Sequence, residues 1–327
     1  MNKISLEDHF MLPNYRADGP VSFTKSVHPD FADKMTKNLP DFENRLLEMD
    51  KAGIDKTVLS LTQPGIQAEI DAKSAVTAAR LMNDELASAC RRHPDRLLGF
   101  AALPLQDPKE AANELERSIN ELGFVGACVN GYTNLGDADT AMYLDEEPML
   151  EFWEKANSLR VPIYLHPRVP LASQQRIYKG YPALMGSAWG FGHETATHAL
   201  RLIMSGLFDR YPELTVALGH MGEGLPFLVS RVDHRLKFQP EATRGKQKRL
   251  VADYLGTNFV ITTSGSFRSQ ALINSILEIG SDRILFSTDY PFESMSEAAN
   301  WFDNCPISEI DRKKIGSDNA AKLFKLK

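Results

Sequence analysis

Eight short β-rich runs recur along the chain, each separated from the next by a segment with helical spacing, and no other feature narrows the fold so far. The runs are KISLEDHF (3–10), KTVLSL (56–61), RLLGFAAL (96–103), GFVGACVN (123–130), VPIYLHP (161–167), LTVALGHMG (214–222), NFVITTSG (258–265) and RILFSTDYP (283–291). Between them lie stretches such as PKEAANELERSINEL (108–122) and QALINSILEIG (270–280), with apolar residues three and four apart. Gly123 and Gly280 stand where such helices would end. Strict alternation of strand and helix implies parallel strands joined by right-handed crossovers. Eight such units predict an α/β fold, a closed (β/α)8 TIM barrel with a C-terminal helical tail; the alternative is an open, doubly wound sheet. No GxGxxG or GxxxxGK(S/T) follows an early run, so the nucleotide-binding form of the open sheet has no support. No linker or shift of composition divides the 327 residues, which read as one domain over 1–327.

Composition sets outer bounds. Hydrophobic residues make up 43% and charged ones 24%, as in ordinary soluble globular proteins. A net charge of −6 gives no electrostatic case for nucleic acid or an anionic membrane. The basic stretch RGKQKR (244–249) reads as solvated surface. An acidic chain that takes an acidic ligand needs a local cation, an Arg or a metal. Cys90, Cys128 and Cys305 form no CxxC pair, which argues for a reducing compartment and against a thiolate zinc site. No apolar stretch reaches membrane-spanning length and no signal peptide opens the chain, so a cytoplasmic location is expected.

Two connections are far longer than the rest: residues 11–39 after the first run and 168–192 after the fifth. Loops of this length inside a compact domain are usually functional. Both leave the C-terminal ends of strands, where barrel enzymes keep their chemistry.

The same ends carry titratable side chains. Run one supplies Glu7 and His9, run five His166, run six His220 and run eight Asp289. Alternate residues of a strand share a face, so Glu7 and His9 can both turn to the barrel axis while Asp8 turns outward. Two carboxylates and two imidazoles from strands one, five and eight form a mixed N/O set suited to Zn or Mn. Taken singly, each has a plainer reading: a solvated Glu, a hydrogen-bonded structural His, an Asp that begins a turn. Their common position at strand ends favours the metal. His220 and Glu223, three apart at an expected helix start, can hydrogen-bond and handle a proton; otherwise Glu223 only complements the helix N-terminus. Arg231 is a cation that can hold a carboxylate or form a helix salt bridge, and Asn130 can donate to a ligand or cap a turn. The remaining histidines, His28, His93, His193, His198 and His234, read as structural.

With these residues in place the chain resembles the amidohydrolase superfamily, in particular its decarboxylase branch typified by γ-resorcylate (2,6-dihydroxybenzoate) decarboxylase. The resemblance runs nearly end to end through LEDHF, AALPLQDP, GFVGACVNGY, YLHPR, HALRLIMSGLFDRYPEL, LGHMGEGLPF, ITTSGSFR, DRILFSTDYPFE and KIGSDNAAKLFKL. It implies that Glu7, His9, His166 and Asp289 bind one divalent metal per subunit, Mn2+ before Zn2+. It also implies that Asn130 contacts a small aromatic carboxylate, with Arg231 reaching in from a neighbouring subunit of a homotetramer. Residue 8 is Asp where the family carries Glu, which matters little if it faces away from the site. Relatives acting on the 2,3-dihydroxy isomer often replace the first-strand His with Ala, so His9 favours the 2,6-isomer, although vanillate-type relatives keep the His as well.

The implied reaction is a reversible, non-oxidative decarboxylation in catabolism of aromatic compounds, with no organic cofactor. The metal would chelate the carboxylate and the ortho oxygen. Asp289 would deliver a proton to the ring carbon, His220 backed by Glu223 would resupply it, and Phe191 would wall the ring. Two rivals remain open at this point: a metal-dependent lactone or ester hydrolase on the same scaffold, and a non-catalytic barrel with a structural metal.

Overall fold

The computed structural model describes residues 2–13, 15 and 27–326. Eight parallel strands, β1 (Ile4–Phe10), β2 (Lys56–Leu61), β3 (Leu97–Ala102), β4 (Gly126–Asn130), β5 (Ile163–His166), β6 (Val216–Leu218), β7 (Phe259–Thr262) and β8 (Ile284–Leu285), lie side by side in chain order. The last meets the first: Asp8 bridges Tyr290, the amide of His9 donates to the Tyr290 carbonyl at 2.7 Å, and the amide of Asp289 donates to the Glu7 carbonyl at 2.8 Å. The sheet is therefore a (β/α)8 barrel and not an open one. Its β6 and β8 keep only 3 and 2 ladder residues, because the rest of each run leaves the sheet to carry His220 and Asp289.

The expected helices form at Pro108–Asn120 and Ser269–Ile279, the first opened by the Asp107 side chain accepting from the amides of Lys109 and Glu110. Gly280 caps the second at φ 82, a conformation that a side chain would strain. Leu59, Leu61, Val129, Leu165, Leu218 and Ile261 turn outward to the helices. Ile4, Leu6, Val58, Phe100, Cys128, Tyr164, Ala217, Val260 and Leu285 fill the interior. The C-terminal tail (Glu309–Lys313, Lys314–Asp318, Asn319–Leu323) sends Ala320 and Phe324 into that same interior, with the Phe324 ring 5.8 Å from that of Phe100. It thereby stoppers the N-terminal end of the barrel.

Strand β1 contains a bulge: Ser5 pairs with Thr57, but Asp8 pairs with Leu59, so one extra residue sits on β1. Ile4 and Leu6 face inward below it, Glu7 and His9 inward above it. A regular strand could not show even-numbered and odd-numbered residues on one face. Asp8 turns away, buried, and accepts from the hydroxyls of Thr57 and Thr288 and the amide of Tyr290.

Two features were not anticipated. An antiparallel hairpin (Thr133–Leu135 with Asp137–Met142) follows β4. The long connection after β5 is not structureless: it forms short 3-10 turns at Ala172–Tyr178 and Pro182–Leu184, then the helix Gly190–Met204. Ser173 donates to Asp139 through both its amide and its hydroxyl at 3.0 Å, which ties this connection to the hairpin. Of the connection after β1, positions 14 and 16–26 lie outside the described residues, and Pro29–Asn38 is a helix. Among the described residues no helix is long and apolar enough to cross a membrane.

Candidate metal centre and active site

Glu7, His9 and His166, all buried, bring one ligand atom each to within 4.8 Å of the others at the C-terminal mouth of the barrel. Glu7 and His9 are each held by their other end. The Glu7 Oε2 accepts from the hydroxyls of Tyr164 and Ser264, and lies 3.4 Å from that of Thr262. This leaves Oε1 without a hydrogen bond, 3.3 Å from His166 Nε2 and 3.9 Å from His9 Nε2. His9 Nδ1 lies 3.1 Å from the Ser60 hydroxyl, which turns its bare Nε2 inward.

Buried polar atoms without partners are costly, and here two of them converge on one point. A divalent cation would satisfy both. The donors are oxygen and imidazole nitrogen without thiolate, a set that takes Mn2+ or Zn2+. The protonation states agree: burial pushes the His166 imidazole down, keeping it neutral for ligation. Burial alone would push the Glu7 carboxyl up, but the imidazoles of His220, His166 and His9 outweigh it and hold the group well below the usual carboxylate range.

Asp289 sits beside this trio rather than within it. Its Oδ1 lies 3.2 Å from His9 Nε2 and its Oδ2 3.6 Å from His220 Nε2. His220 Nδ1 is 2.8 Å from Glu223 Oε1, the pairing expected from their spacing. The local backbone differs from that expectation. Residues 220–224 do not start a right-handed helix; His220, Met221, Gly222, Glu223 and Gly224 have φ of 49, 58, 72, 55 and 78°, a left-handed turn. The helix begins only at Leu225. Desolvation would lower the His220 basicity, yet Glu223, Glu7 and Asp289 overcome it and raise its pKa well above the ordinary value. Among the described residues, non-glycine positive φ occurs at six positions, and four of them (His220, Met221, Glu223, Asp289) are in this site. Backbone strain gathers here, as it does where geometry serves function.

Asn130, paired in register with His166, is buried. Its Nδ2 donates one of its two protons to the Leu61 carbonyl at 3.3 Å, and its Oδ1 has no partner among the described residues. Gly65 makes room for it: a Cβ there would lie 2.3 Å from Nδ2. Arg231 is exposed on the helix Leu225–Leu236, among the described residues without an ion pair, and does not join this subunit's cluster. Phe191 is half-buried at the start of the helix Gly190–Met204, next to Gly192, where a Cβ would lie 3.1 Å from Glu223 Oε2. The Phe292 ring lies edge-on to that of His9 at 5.6 Å.

Sequence reasoning passed over Phe292, Tyr164 and Ser264. The signal for the last two was present: Tyr164 stands two before His166, and Ser264 two after Thr262, each on the inward face by period-two alternation. Arg168 was also missed; its buried guanidinium donates to the carbonyls of Gln67 and Tyr132 and to Asn134, bracing the wall of the mouth.

Known proteins share this arrangement of chain. The family described as Amidohydrolase matches residues 9–326. A γ-resorcylate decarboxylase of Rhizobium radiobacter is 51% identical over 325 residues, 99% of this chain and 98% of its own. The structure of a dihydroxybenzoic acid decarboxylase from Polaromonas sp. JS666, with bound manganese and the inhibitor 2-nitroresorcinol, superposes with a TM-score of 0.93 at 49% identity, covering 100% of this chain and 98% of that one. A 5-carboxyvanillate decarboxylase from Sphingomonas paucimobilis has a TM-score of 0.91 at 32% identity, covering 100% and 99%. A barrel whose strand ends converge on bare carboxylate and imidazole donors, matched by that profile from strand β1 to the C-terminal tail, belongs to the amidohydrolase family.

Proposed function

We propose that the chain is a divalent-metal-dependent decarboxylase that converts 2,6-dihydroxybenzoate to resorcinol and CO2. The observation that carries this reading is the inward-facing Glu7, His9 and His166 trio beside the His220–Glu223 pair, on a chain about half identical throughout to decarboxylases of that acid. The greater distance from the carboxyvanillate enzyme, at 32% identity, favours the dihydroxybenzoate over a vanillate-type ring.

Glu7, His9, His166 and Asp289 would hold the metal, with Mn2+ the first candidate and Zn2+ the second. When bound, the cation neutralises the substrate carboxylate and its ortho oxygen and orients the ring. Asp289 gives a proton to the carbon that bears the carboxylate. As the carbon–carbon bond breaks, its electron pair returns to the ring and CO2 departs. His220, 3.6 Å from Asp289 and steadied by Glu223, replaces the proton. The Asn130 Oδ1 accepts from a ring hydroxyl, and Phe292 and Phe191 exclude water.

Arg231 serves the substrate of a neighbouring subunit in a homotetramer. Its support is position: the helix that bears it also exposes Phe227 (76%) and Leu228, and Phe238 (65%) stands just beyond its end. Apolar side chains so exposed favour a covering partner. The protein is a single-domain cytoplasmic enzyme of aromatic catabolism.

The test is turnover by metal-stripped protein with and without Mn2+ or Zn2+, on 2,6-, 2,3- and 2,4-dihydroxybenzoate and a vanillate-type acid. Metal-dependent CO2 and resorcinol from the 2,6-isomer are expected. Tight metal binding with no CO2 from any acid, but hydrolysis of an aryl ester or lactone, would replace the reading with a hydrolase.

A further inference from the structure

We propose that Ser264 is a positioning residue joining the two halves of the site, its one hydroxyl orienting Glu7 and also anchoring the turn that carries His220 and Glu223. The inference rests on the reading of Glu7 as a metal ligand and His220 as a proton carrier.

Hydrogen-bond capacity leads to this assignment. Ser264 is fully buried just beyond β7. Its Oγ contacts Glu7 Oε2, accepts from the His220 amide at 3.1 Å and lies 2.8 Å from the Thr262 hydroxyl. A hydroxyl has one proton, and an ionised carboxylate can only accept. The Ser264 proton therefore goes to Glu7, and its lone pairs face the His220 amide and Thr262. Tyr164 spends its own proton on the same Glu7 oxygen and lies 3.0 Å from Thr262. Tyr164 thus supports Glu7 directly and Thr262 donates to Ser264, whereas Ser264 supports Glu7 and also reaches the chain at His220.

That second bond lands where the backbone needs it. His220, Met221 and Glu223 are non-glycine residues in the left-handed region, a backbone conformation that side chains disfavour. Holding them are the Gly222 and Glu223 amides, which donate to the Gly219 carbonyl at 2.6 and 3.3 Å, the His220–Glu223 pair, and Ser264. The turn also passes hard against Glu7, since a Cβ on Gly219 would lie 2.7 Å from Glu7 Oε2. A shift of the carboxylate and a shift of the turn are thereby one event, and Ser264 is the group that opposes both.

The experiment compares Ser264→Ala, Ser264→Cys, Ser264→Thr and Tyr164→Phe with the unmodified protein. Two quantities are read: the Mn2+ Kd by calorimetry without substrate, and kcat at saturating Mn2+, with circular dichroism as the check on folding. Tyr164→Phe should weaken Mn2+ about 10-fold yet recover most of its kcat once saturated. Ser264→Ala should weaken Mn2+ by about 10–100-fold and keep kcat depressed about 10-fold or more even when saturated, because the proton-carrying turn has moved as well. Ser264→Cys preserves volume with a weak donor and should follow Ser264→Ala; Ser264→Thr should restore both quantities. A Ser264→Ala protein with the parental Kd, or with kcat fully restored by saturating Mn2+, overturns the proposal, and a Thr variant no better than Ala counts against it. Failure of the unmodified protein to bind Mn2+ would instead overturn the metal reading beneath it.

Discussion

The two ends of the barrel are built from the same strands and behave as opposites. At the N-terminal end, Val58, Phe100, Cys128, Val260 and Leu285 pack against Ala320 and Phe324 of the tail. Two residues further along the same inward faces, Val58 gives way to Ser60, Cys128 to Asn130, and Tyr164 to His166. Further still on their strands come Ser264 and Asp289. The closed end spends its side chains on burial. The mouth keeps bare donors on Glu7, His9 and Asn130, and left-handed φ at His220, Met221, Glu223 and Asp289. Each of these mouth features costs stability, and the apolar end offsets them. A barrel can separate the two tasks because the strand period carries one face through both.

That division can be tested by changes that should strike one end and spare the other. The largest effect is expected from Asp289→Asn, where Asn tolerates the same left-handed backbone but donates no acidic proton. Turnover should fall by about 10³-fold with the melting temperature within a few degrees of the parent; retained metal with full turnover would remove Asp289 from the proton-donor role. Phe324→Ala should act in reverse, costing about 3 kcal/mol of stability while the Mn2+ Kd stays unchanged. A large loss of metal affinity in that variant would mean that the ends are coupled and the contrast is false.

A smaller effect belongs to neither end. His198 lies buried on the helix Gly190–Met204, where its Nε2 accepts from the Leu144 amide at 3.0 Å. Burial, with Arg201 nearby, pushes its pKa down to about 3 from an ordinary 6.5. Below about pH 6.5 the unfolded chain takes a proton that the folded one refuses. Its contribution is thus complete above that pH and lost as pH falls toward 3, at up to about 1.4 kcal/mol per pH unit. His198→Gln should flatten the decline in urea midpoint between pH 7 and pH 5, and parallel curves for variant and parent would discard this account.

Much of the site could be read from the chain because barrel geometry turns strand-end positions into neighbours. Glu7, His9, His166, His220 and Asp289 lie up to 282 residues apart in sequence, and their grouping needed only the count of strands and the knowledge that parallel strands end on one face. The hydrogen bond between His220 and Glu223 was legible from spacing, though for the wrong backbone. The bond from Asn130 Nδ2 to the Leu61 carbonyl was not legible, since it depends on the neighbouring strand. Phe292 was passed over because a long loop draws attention, whereas the three residues after Asp289 bring its ring to His9 directly.

By itself the sequence determined the periodic order of strands and helices, their count of eight, and the identity of the chemical groups at the strand ends; the contacts that close the barrel between Asp8 and Tyr290 came from the tertiary structure. Only the tertiary structure decided which atoms those groups present. The bulge in β1 that places Leu6, Glu7 and His9 on one face depends on pairing with β2. The free Oε1 of Glu7 depends on hydroxyls delivered by β5 and the end of β7. The upward push on the His220 pKa, against its burial, depends on three carboxylates brought together from residues 223, 7 and 289. Hydrogen-bond partners and electrostatic fields act through space, so they exist only once distant segments have met.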